Sequence, residues 1–453
     1  MRLLRSLIWT YFWLLIFEGA LRKWLFPGIA DILLLVRDPV AIIIFIRAFS
    51  LGIYPRTIWT HSLMAMATIF AVVGLLQLVG GVPVKLQVVV YGWRTYFVHL
   101  PLIFIIPVVF RFEDVVSMLR MTLILSIPMI LLVVVQYLTP DFGWINAAAQ
   151  EGGQLAFVGD KIRPPGTFSF NTGAACFFAL ATAGAASALL GMQGIRRALA
   201  WLGMLSAAAY IPISGGRLNA GSVLIVMLVG VICSGLRMGW GQVRIMLVTS
   251  ALVLGLTYTP IFQDGVESTR MRLEGAAEFE NDAYTYGFIS RVFGGFAAPL
   301  QVLSGEESIF MGEGLGLGTI GGAKLQTGQG AFLLDEGEWG RILSESGWAW
   351  GMLYLIWRVA LTVWLLRLSI LAFQHGSPLA ILLWSANVWT LLQGQWGQPT
   401  NQGFAVLLAG LNFAACQVPI REKVELPWAV RERLRNAASV PDARLGLRGR
   451  RAG

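Results

Sequence analysis

Long apolar runs dominate the chain, and short polar stretches separate them. Most runs are about 16 to 24 residues long, close to the roughly 20 residues that a helix needs to cross the hydrocarbon of a membrane. They are solidly apolar rather than alternating, which favours helices over strands. The pattern predicts an all-α, polytopic transmembrane bundle of about twelve spans. The spans are predicted near residues 6–20, 30–48, 62–80, 95–110, 117–138, 169–191, 198–213, 218–235, 244–262, 347–366, 378–392 and 403–418.

Composition agrees with this pattern. Of the 453 residues 56% are hydrophobic and only 13% are charged, which is too apolar for the surface of a soluble protein. The basic and apolar opening is similar to a signal peptide but lacks a good cleavage site, so a retained first span is predicted. Cys176, Cys233 and Cys416 each lie in an apolar run, and they therefore indicate no disulfide framework.

Positive charges predict the orientation. If both termini are cytoplasmic, the arginines of the short loops fall on the cytoplasmic side, as the positive-inside rule requires. The net charge of +9 does not indicate nucleic acid, because the segment after Pro419 is rich in basic residues and suits a surface of anionic lipids. The arginines that support this orientation are Arg47, Arg56, Arg111, Arg120, Arg196, Arg197, Arg237, Arg244 and Arg367.

This orientation divides the chain into four parts. Residues 1–262 hold the first nine spans and an outer loop at 139–168, and residues 263–346 form a long, acidic, glycine-rich outer loop. Residues 347–418 hold three further spans, and residues 419–453 form a basic cytoplasmic tail. An odd error in the number of spans would place the long loop on the opposite side.

Two arginines stand out on the predicted outer face. Arg163 lies in a proline- and glycine-containing turn before the sixth predicted span, and Arg217 follows a Ser-Gly-Gly turn between spans seven and eight. A guanidinium group suits phosphate or carboxylate. The alternatives are an interfacial anchor for Arg163 and a snorkelling side chain for Arg217.

Two further groups lie in the long loop. Arg291 is followed by the glycine-rich stretch 312–322, part of which fits G-x-G-x-x-G. A dinucleotide site is rejected there because no strand and crossover helix surround it. The alternatives are a flexible turn and a backbone that approaches a substrate closely.

An acidic cluster at 335–345 leads into the tenth predicted span. Glu338, Arg341 and Glu345 are spaced as surface ion pairs on a helix would be. Carboxylates this close together would also raise one another's pKa, which suits a general base. The only three histidines are His61, His99 and His375. The predicted topology places His61 and His375 on the cytoplasmic side and His99 at the start of a span, so neither a zinc site nor a catalytic triad is predicted.

In their order along the chain, these groups resemble the motifs of the bacterial O-antigen polymerase and O-antigen ligase superfamily. Residues 163–168 are similar to that family's Arg-x-x-Gly-Thr-Phe segment, and residues 214–221 to its Ser-Arg-Gly motif with an inserted glycine. Residues 312–318 are similar to its Gly-x-Gly-x-Gly stretch, and residues 336–347 to its last element. Glu336 stands where ligases carry a histidine, which fits polymerases better.

The resemblance extends over roughly residues 160–355 and implies a membrane glycosyltransferase of the bacterial inner membrane. Such an enzyme polymerises or ligates polyprenyl-diphosphate-linked oligosaccharides at the periplasmic face, in exopolysaccharide or O-antigen synthesis. Cations would stabilise the departing diphosphate, and a base would accept the proton of the acceptor hydroxyl. The residues expected to act are Arg217, Arg291 and Arg163 on the diphosphate, Glu336 and Glu338 in proton transfer, and Trp339 and Arg341 on the glycan.

The expected partners are the lipid-linked glycan donor, a glycan or lipid acceptor and membrane lipids, with polysaccharide export or chain-length proteins as further candidates. No cofactor, metal or nucleic acid is expected. One alternative function is a lipid or polysaccharide transporter or flippase that uses the intramembrane charges Glu18, Arg37, Asp38 and Arg358. Another is a different polyprenyl-phosphate glycosyltransferase that uses Asp31 or Asp38.

Overall fold

The computed structural model of the chain describes residues 1–139, 143–149, 157–158, 161–237, 310–330, 332–335 and 337–423, and the single residues 251, 255 and 296. These residues are largely helical, with one antiparallel strand pair, β1 (Phe157–Val158) and β2 (Lys161–Ile162). The α-helices are α1 (Arg2–Ala20), α2 (Ala30–Leu33), α3 (Arg37–Ser50), α4 (Ile58–Val79), α5 (Leu86–Phe97), α6 (Leu102–Val109), α7 (Phe112–Leu138), α8 (Asn171–Leu189), α9 (Arg197–Ile213), α10 (Arg217–Arg237), α11 (Ile320–Thr327), α12 (Glu338–Ser346), α13 (Trp348–Gln374), α14 (Leu379–Leu392) and α15 (Pro399–Lys423).

Among the described residues, seven helical segments are long and apolar enough to cross a membrane. Each of the seven overlaps a span predicted from the sequence. Helices α9 and α14 are apolar but shorter, with 17 and 14 residues. The predicted span 244–262 lies outside the described residues except for two positions, so the count of twelve stays a prediction. The seven segments are Arg2–Leu25, Ile58–Val79, Leu86–Val109, Phe112–Leu138, Asn171–Leu189, Asn219–Leu236 and Trp348–Gln374.

The second predicted span, 30–48, is not a continuous helix. A turn separates the short α2 from α3, which begins at Arg37. Pro39 lies in the first turn of α3, where its missing N–H breaks no helical hydrogen bond. Arg37 and Asp38 are neighbours in sequence, but each is paired with a residue of another helix.

Arg37 and Asp38 are buried and find their partners on α1 and α5. The Arg37 Nε lies 2.7 Å from Glu18 Oε2, and Arg94 forms a two-nitrogen pair with the Asp38 carboxylate, with its NH2 2.6 Å from Oδ1. Adjacent residues on a helix point in different directions, so neighbours in sequence reach different helices. The two pairs hold α1, α3 and α5 together.

The segment Leu86–Val109 is interrupted between α5 and α6. His99 lies in this break, deep in the segment, rather than at the start of a span as the sequence suggested. The break turns the imidazole towards α1 and α3, where its Nδ1 lies 3.0 Å from the hydroxyl of Tyr11 and its Nε2 lies 3.0 Å from Asp38 Oδ1. Where a membrane helix is broken, polar side chains of this kind provide hydrogen-bond partners for buried polar groups.

Helix α8 lies at the centre of the bundle. Nearly all of its residues are buried, because α7, α9, α10, α14 and α15 all pack against it. The sequence of α8 is rich in alanine and glycine, and small side chains let neighbouring helices approach closely without a loss of packing. Helix α15 is also interior, with every residue from 401 to 412 buried.

Candidate functional site

A pocket with an empty volume of about 990 Å³, including its open mouth, lies at one end of the bundle. It is bounded by the end of α1, the turn before α8, the start of α11, helix α12 and the turn between α14 and α15. Three arginines, Arg22, Arg163 and Arg341, contribute to its lining. Among the described lining residues there is no carboxylate, so the pocket favours an anionic ligand.

Three helices present their amino-terminal ends to this pocket. Asn171 begins α8, residues 319–321 begin α11, and residues 399–400 begin α15, and all of them line the pocket. The first N–H groups of a helix have no partner within the helix, and the helix dipole adds partial positive charge at the same end. Such ends bind anions, phosphates in particular.

Arg22 is a charged lining residue that the sequence did not predict. It is only 2% exposed. Its Nε donates to the Ala30 carbonyl at 2.8 Å and its NH1 donates to Ser169 Oγ at 2.9 Å. The neighbouring Lys23 donates to two carbonyls of the turn before α8, those of Gly166 at 2.6 Å and Phe168 at 2.9 Å.

One signal in the sequence could have revealed Arg22. In the predicted orientation Arg22 and Lys23 lie at the outer end of the first span, where the positive-inside rule disfavours basic residues. Glu18 precedes Arg22 by one helical turn, and its Oε1 lies 3.7 Å from the Arg22 NH1. Glu18 also pairs with Arg37, so two guanidinium groups share one carboxylate at this end of α1, and Lys23 adds a further basic group beside them. The excess positive charge lies beside the pocket.

Arg341 reaches the pocket from α12, and two carboxylates of the same helix hold it. Its NH2 lies 3.0 Å from Glu338 Oε2, and its NH1 lies 3.0 Å from Glu345 Oε2. The hydroxyl of Tyr96 lies 3.2 Å from the same NH1 and donates to Glu345 at 2.7 Å. Burial lowers the pKa of Arg341, but the charges of Glu338 and Glu345 outweigh it and hold the pKa well above its usual value. The group is permanently charged.

Glu338 is paired through both of its carboxylate oxygens, and the role in proton transfer expected from the sequence stays a prediction. It is buried, and its Oε2 accepts from Arg341 Nε at 3.1 Å while its Oε1 accepts from Arg358 NH1 at 2.8 Å. Two guanidinium groups thus occupy both oxygens of the Glu338 carboxylate. Glu338 lies behind Arg341 and orients it.

The glycine-rich stretch packs tightly against α5. Gly316 has a φ of +94°, and a Cβ there would lie 2.5 Å from the Val88 carbonyl oxygen and 2.9 Å from the Cα of Gly92. Only glycine permits this conformation and this approach. The Gly318 N–H then donates to Glu345 Oε1 at 2.8 Å, and Thr319 caps α11 by accepting from the Gly322 N–H at 2.9 Å. The stretch therefore forms a fixed wall of the pocket.

Gln77 of α4 fastens this wall from behind. Its amide nitrogen donates to the carbonyls of Met311 at 2.6 Å and Glu345 at 2.8 Å, and its amide oxygen accepts from the Leu315 N–H at 2.8 Å. The side chain is fully buried. Gln77 joins the glycine-rich stretch to the end of α12.

Replacing Gln77 with alanine is expected to destabilise the protein by roughly 1–3 kcal/mol, because it leaves buried backbone groups without partners. Thermal unfolding in detergent measures the loss. Gln326→Ala is the matched control, since Gln326 makes two comparable backbone bonds on the exposed surface, where water replaces them. A loss at Gln77 no greater than the loss at Gln326 would contradict the fastening role.

The structure brings together some of the residues predicted to act. Arg163 and Arg341 both line the pocket, whereas Trp339 packs edge-on to Phe296 and donates from Nε1 to the Leu392 carbonyl at 2.7 Å. Trp339 is not part of the pocket lining. Arg217 begins α10, but its side chain is outside the described part, as are Arg291 and Glu336 entirely.

No protein-family model matches the sequence, and no curated protein matches it. In the part of the chain that the structure describes, no three metal-ligating side chains come together. The charge and the geometry of the pocket therefore indicate the function most directly.

Proposed function

We propose that the chain is a membrane glycosyltransferase that polymerises or ligates polyprenyl-diphosphate-linked oligosaccharides at the periplasmic face of the bacterial inner membrane. The observation that supports this most is the pocket itself. Three arginines and three helix amino termini meet there, and the described lining residues include no carboxylate. A diphosphate suits such a site, because its charge is spread over several oxygens that guanidinium groups and N–H groups can share.

The proposed reaction needs a good leaving group and a base. The bond between the donor sugar's anomeric carbon and the diphosphate breaks, and its electron pair goes to the diphosphate oxygen. An acceptor hydroxyl oxygen attacks the carbon, and its proton goes to a base. Arg22, Arg163 and Arg341 keep their protons and stabilise the charge that develops on the leaving group. Glu336 remains our candidate for the base.

The apolar part of the lining suits the lipid end of such a donor. Leu34, Phe170 and Phe332 contribute to the pocket, and Phe26 and Ile32, which precede Leu34 in the chain, are 52% and 70% exposed. An isoprenoid chain can leave the pocket along such a surface into the bilayer. Gln395 and Gln398 supply amides on the opposite wall, which can bond sugar hydroxyls.

The proposed topology has twelve spans with both termini in the cytoplasm, and the long loop 263–346 outside. The order of the pocket's walls supports it. The lining comes from the end of α1, the turn after α14 and the starts of α8 and α15. Because successive spans cross the membrane in opposite directions, all of these places lie on the side opposite the arginine-rich short loops.

Removing two of the pocket's positive charges tests the proposal. In cells that express Arg22→Gln together with Arg163→Gln, polymer is expected to fall by at least about 100-fold, since each lost contact to developing charge costs on the order of 10²–10³ in rate. Mass spectrometry of the lipid-linked glycans then separates the two activities. Single repeat units on the carrier indicate a polymerase, and finished long chains on the carrier indicate a ligase.

Arg47→Gln is the control for this experiment. Arg47 is exposed and lies in the last turn of α3, whereas the pocket residue Leu34 lies just before the first turn. Membrane levels of all variants are measured by immunoblot. Normal polymer in the double variant would refute the proposal.

A transporter or flippase is the second candidate. The observation that favours it is the buried group of Glu18, Arg37, Asp38, Arg94 and His99 beside the broken segment α5–α6, because charged residues within spans and discontinuous helices are frequent in transporters. Flux of a lipid-linked glycan across liposomes that contain the purified protein, without formation of a glycosidic bond, would favour this candidate over the enzyme.

A further inference from the structure

A fully buried guanidinium lies on α13, one layer behind the pocket. Arg358 is 1% exposed and each of its nitrogens has a partner. Its NH1 lies 2.8 Å from Glu338 Oε1, its NH2 donates to the carbonyls of Gly394 at 2.7 Å and Thr390 at 3.2 Å, and its Nε donates to the Leu391 carbonyl. Arg358 thus contacts two separate elements that both lead to the pocket.

The first connection runs through Glu338 to Arg341. One oxygen of the Glu338 carboxylate accepts from Arg358, and the other accepts from Arg341. The planar carboxylate joins the two guanidinium groups, so the position of Arg358 determines the orientation of Glu338. Glu338 in turn orients the guanidinium of Arg341 at the lining.

The second connection runs through the end of α14. The last carbonyls of a helix lack partners within the helix, and here Arg358 bonds those of Thr390 and Leu391 and that of Gly394 beyond the helix end. Its guanidinium also stacks on Trp396, 3.8 Å from the ring centroid. The residues on either side of Trp396, Gln395 and Gly397, line the pocket. Arg358 therefore fixes the turn that forms the opposite wall.

We infer that Arg358 is a positioning residue that holds two walls of the pocket at a fixed separation. One wall is formed by Arg341 of α12, and the other by the turn with Gln395 and Gln398 between α14 and α15. This inference depends on the proposed function in one respect, that the pocket binds a diphosphate. Arginine is required because four bonds diverge from one planar group that also stacks on an indole. A lysine offers one nitrogen and no plane, so it can satisfy one wall but not both.

Binding of farnesyl diphosphate to the purified full-length protein in detergent tests the inference. Arg358→Lys is expected to raise the Kd by about tenfold or more, since small misplacements of binding groups cost up to about 100-fold. Arg367→Lys is the matched control on the same helix, since Arg367 is exposed and lies towards the far end of α13. Its Kd is expected to equal that of the unmodified protein.

A double-mutant cycle separates positioning from general stability. If Arg358 acts through Arg341, the two substitutions are not independent. The increase in Kd of the double variant Arg358→Lys with Arg341→Lys is then expected to be well below the product of the two single increases. Thermal unfolding without ligand confirms that each variant is folded at the temperature of the titration. Fully independent effects, or an unchanged Kd in folded Arg358→Lys, would overturn the inference.

Trp396→Leu covers the case in which Arg358→Lys does not fold. It removes the ring on which the guanidinium stacks, together with the hydrogen bond from Trp396 Nε1 to the Thr390 carbonyl at 3.0 Å, and it leaves the Arg358 side chain itself unchanged. We expect a Kd roughly threefold higher, as for the loss of a cation–π contact, and an unchanged Kd would count against the inference. If the unmodified protein fails to bind farnesyl diphosphate, the proposed function fails as well. If the unmodified protein binds farnesyl diphosphate, and the Arg358 and Trp396 variants bind it with the same Kd as the Arg367→Lys control, the inference fails and the proposed function does not.

Discussion

Replacing Glu338 with alanine is expected to cost the folded protein about 3–5 kcal/mol, the usual loss when a buried charge is left without its partner. Glu338 pairs with Arg341 at 3.0 Å and with Arg358 at 2.8 Å, and the side chains of all three are at most 4% exposed. Its removal leaves Arg341 with the carboxylate of Glu345, and leaves the buried guanidinium of Arg358 bonded to backbone carbonyls. The protein is expected to unfold at a lower temperature or to fail to accumulate in the membrane.

Thermal unfolding of the protein in detergent measures this loss, with two comparison variants. Glu338→Gln keeps the shape and can still accept hydrogen bonds, so an intermediate loss is expected. Asp31→Ala removes a carboxylate that lies 2.6 Å from Lys324 Nζ, where both side chains are exposed, and exposed pairs contribute about 1 kcal/mol or less. Equal losses at Glu338 and Asp31 would mean that the buried network does not support the fold.

Gly316→Ala is expected to disrupt the pocket from the side of the glycine-rich stretch. An alanine at a φ of +94° is strained, by about 1–2 kcal/mol for a left-handed backbone. Its Cβ would also lie 2.5 Å from the Val88 carbonyl oxygen, and relief of such overpacking costs a further 1–3 kcal/mol or so. Because the neighbouring atoms belong to backbone, the stretch must move away from α5.

Gly328→Ala separates the two costs of Gly316→Ala. Gly328 has a φ of +83°, and a Cβ there would meet no atom within 4 Å, so only the backbone strain applies. We expect both variants to lose stability in thermal unfolding and only Gly316→Ala to lose affinity for farnesyl diphosphate. Equal affinities in the two variants would show that the contact between Gly316 and α5 does not shape the pocket.

The positions of most membrane helices could be predicted from the sequence, because uninterrupted apolar length is a local property. The break between α2 and α3 within residues 30–48 could not be predicted from apolar length, because the apolar residues continue there while the charges of Arg37 and Asp38 have partners on α1 and α5. Partners on other helices leave no mark on local hydropathy. The same reason explains His99, whose position in a helix break follows from its contacts with Tyr11 and Asp38.

The candidate site could be predicted in part. Arg163 and Arg341 could be predicted as site residues because they lie in polar segments beside predicted spans, and both line the pocket. Arg22 is harder to predict, because it lies just beyond the first predicted span and its partner Ser169 is 147 residues away in the chain. The sequence also left open whether the acids near residue 338 form ion pairs or a base. The answer for Glu338 depends on Arg358, one of whose contacts is with the carbonyl of Gly394.

The walls of the pocket are synthesised far apart in time. Arg22 directly follows α1 and Thr400 belongs to α15, and at about 5–20 residues per second translation separates them by tens of seconds. During this interval Arg22 already has Glu18 one turn away, and Arg37 follows soon after. The nascent chain can thus insert its buried charges early with nearby partners. The complete site forms only after α15 has joined the bundle, so a chain arrested before Thr400 would carry the charges without the pocket.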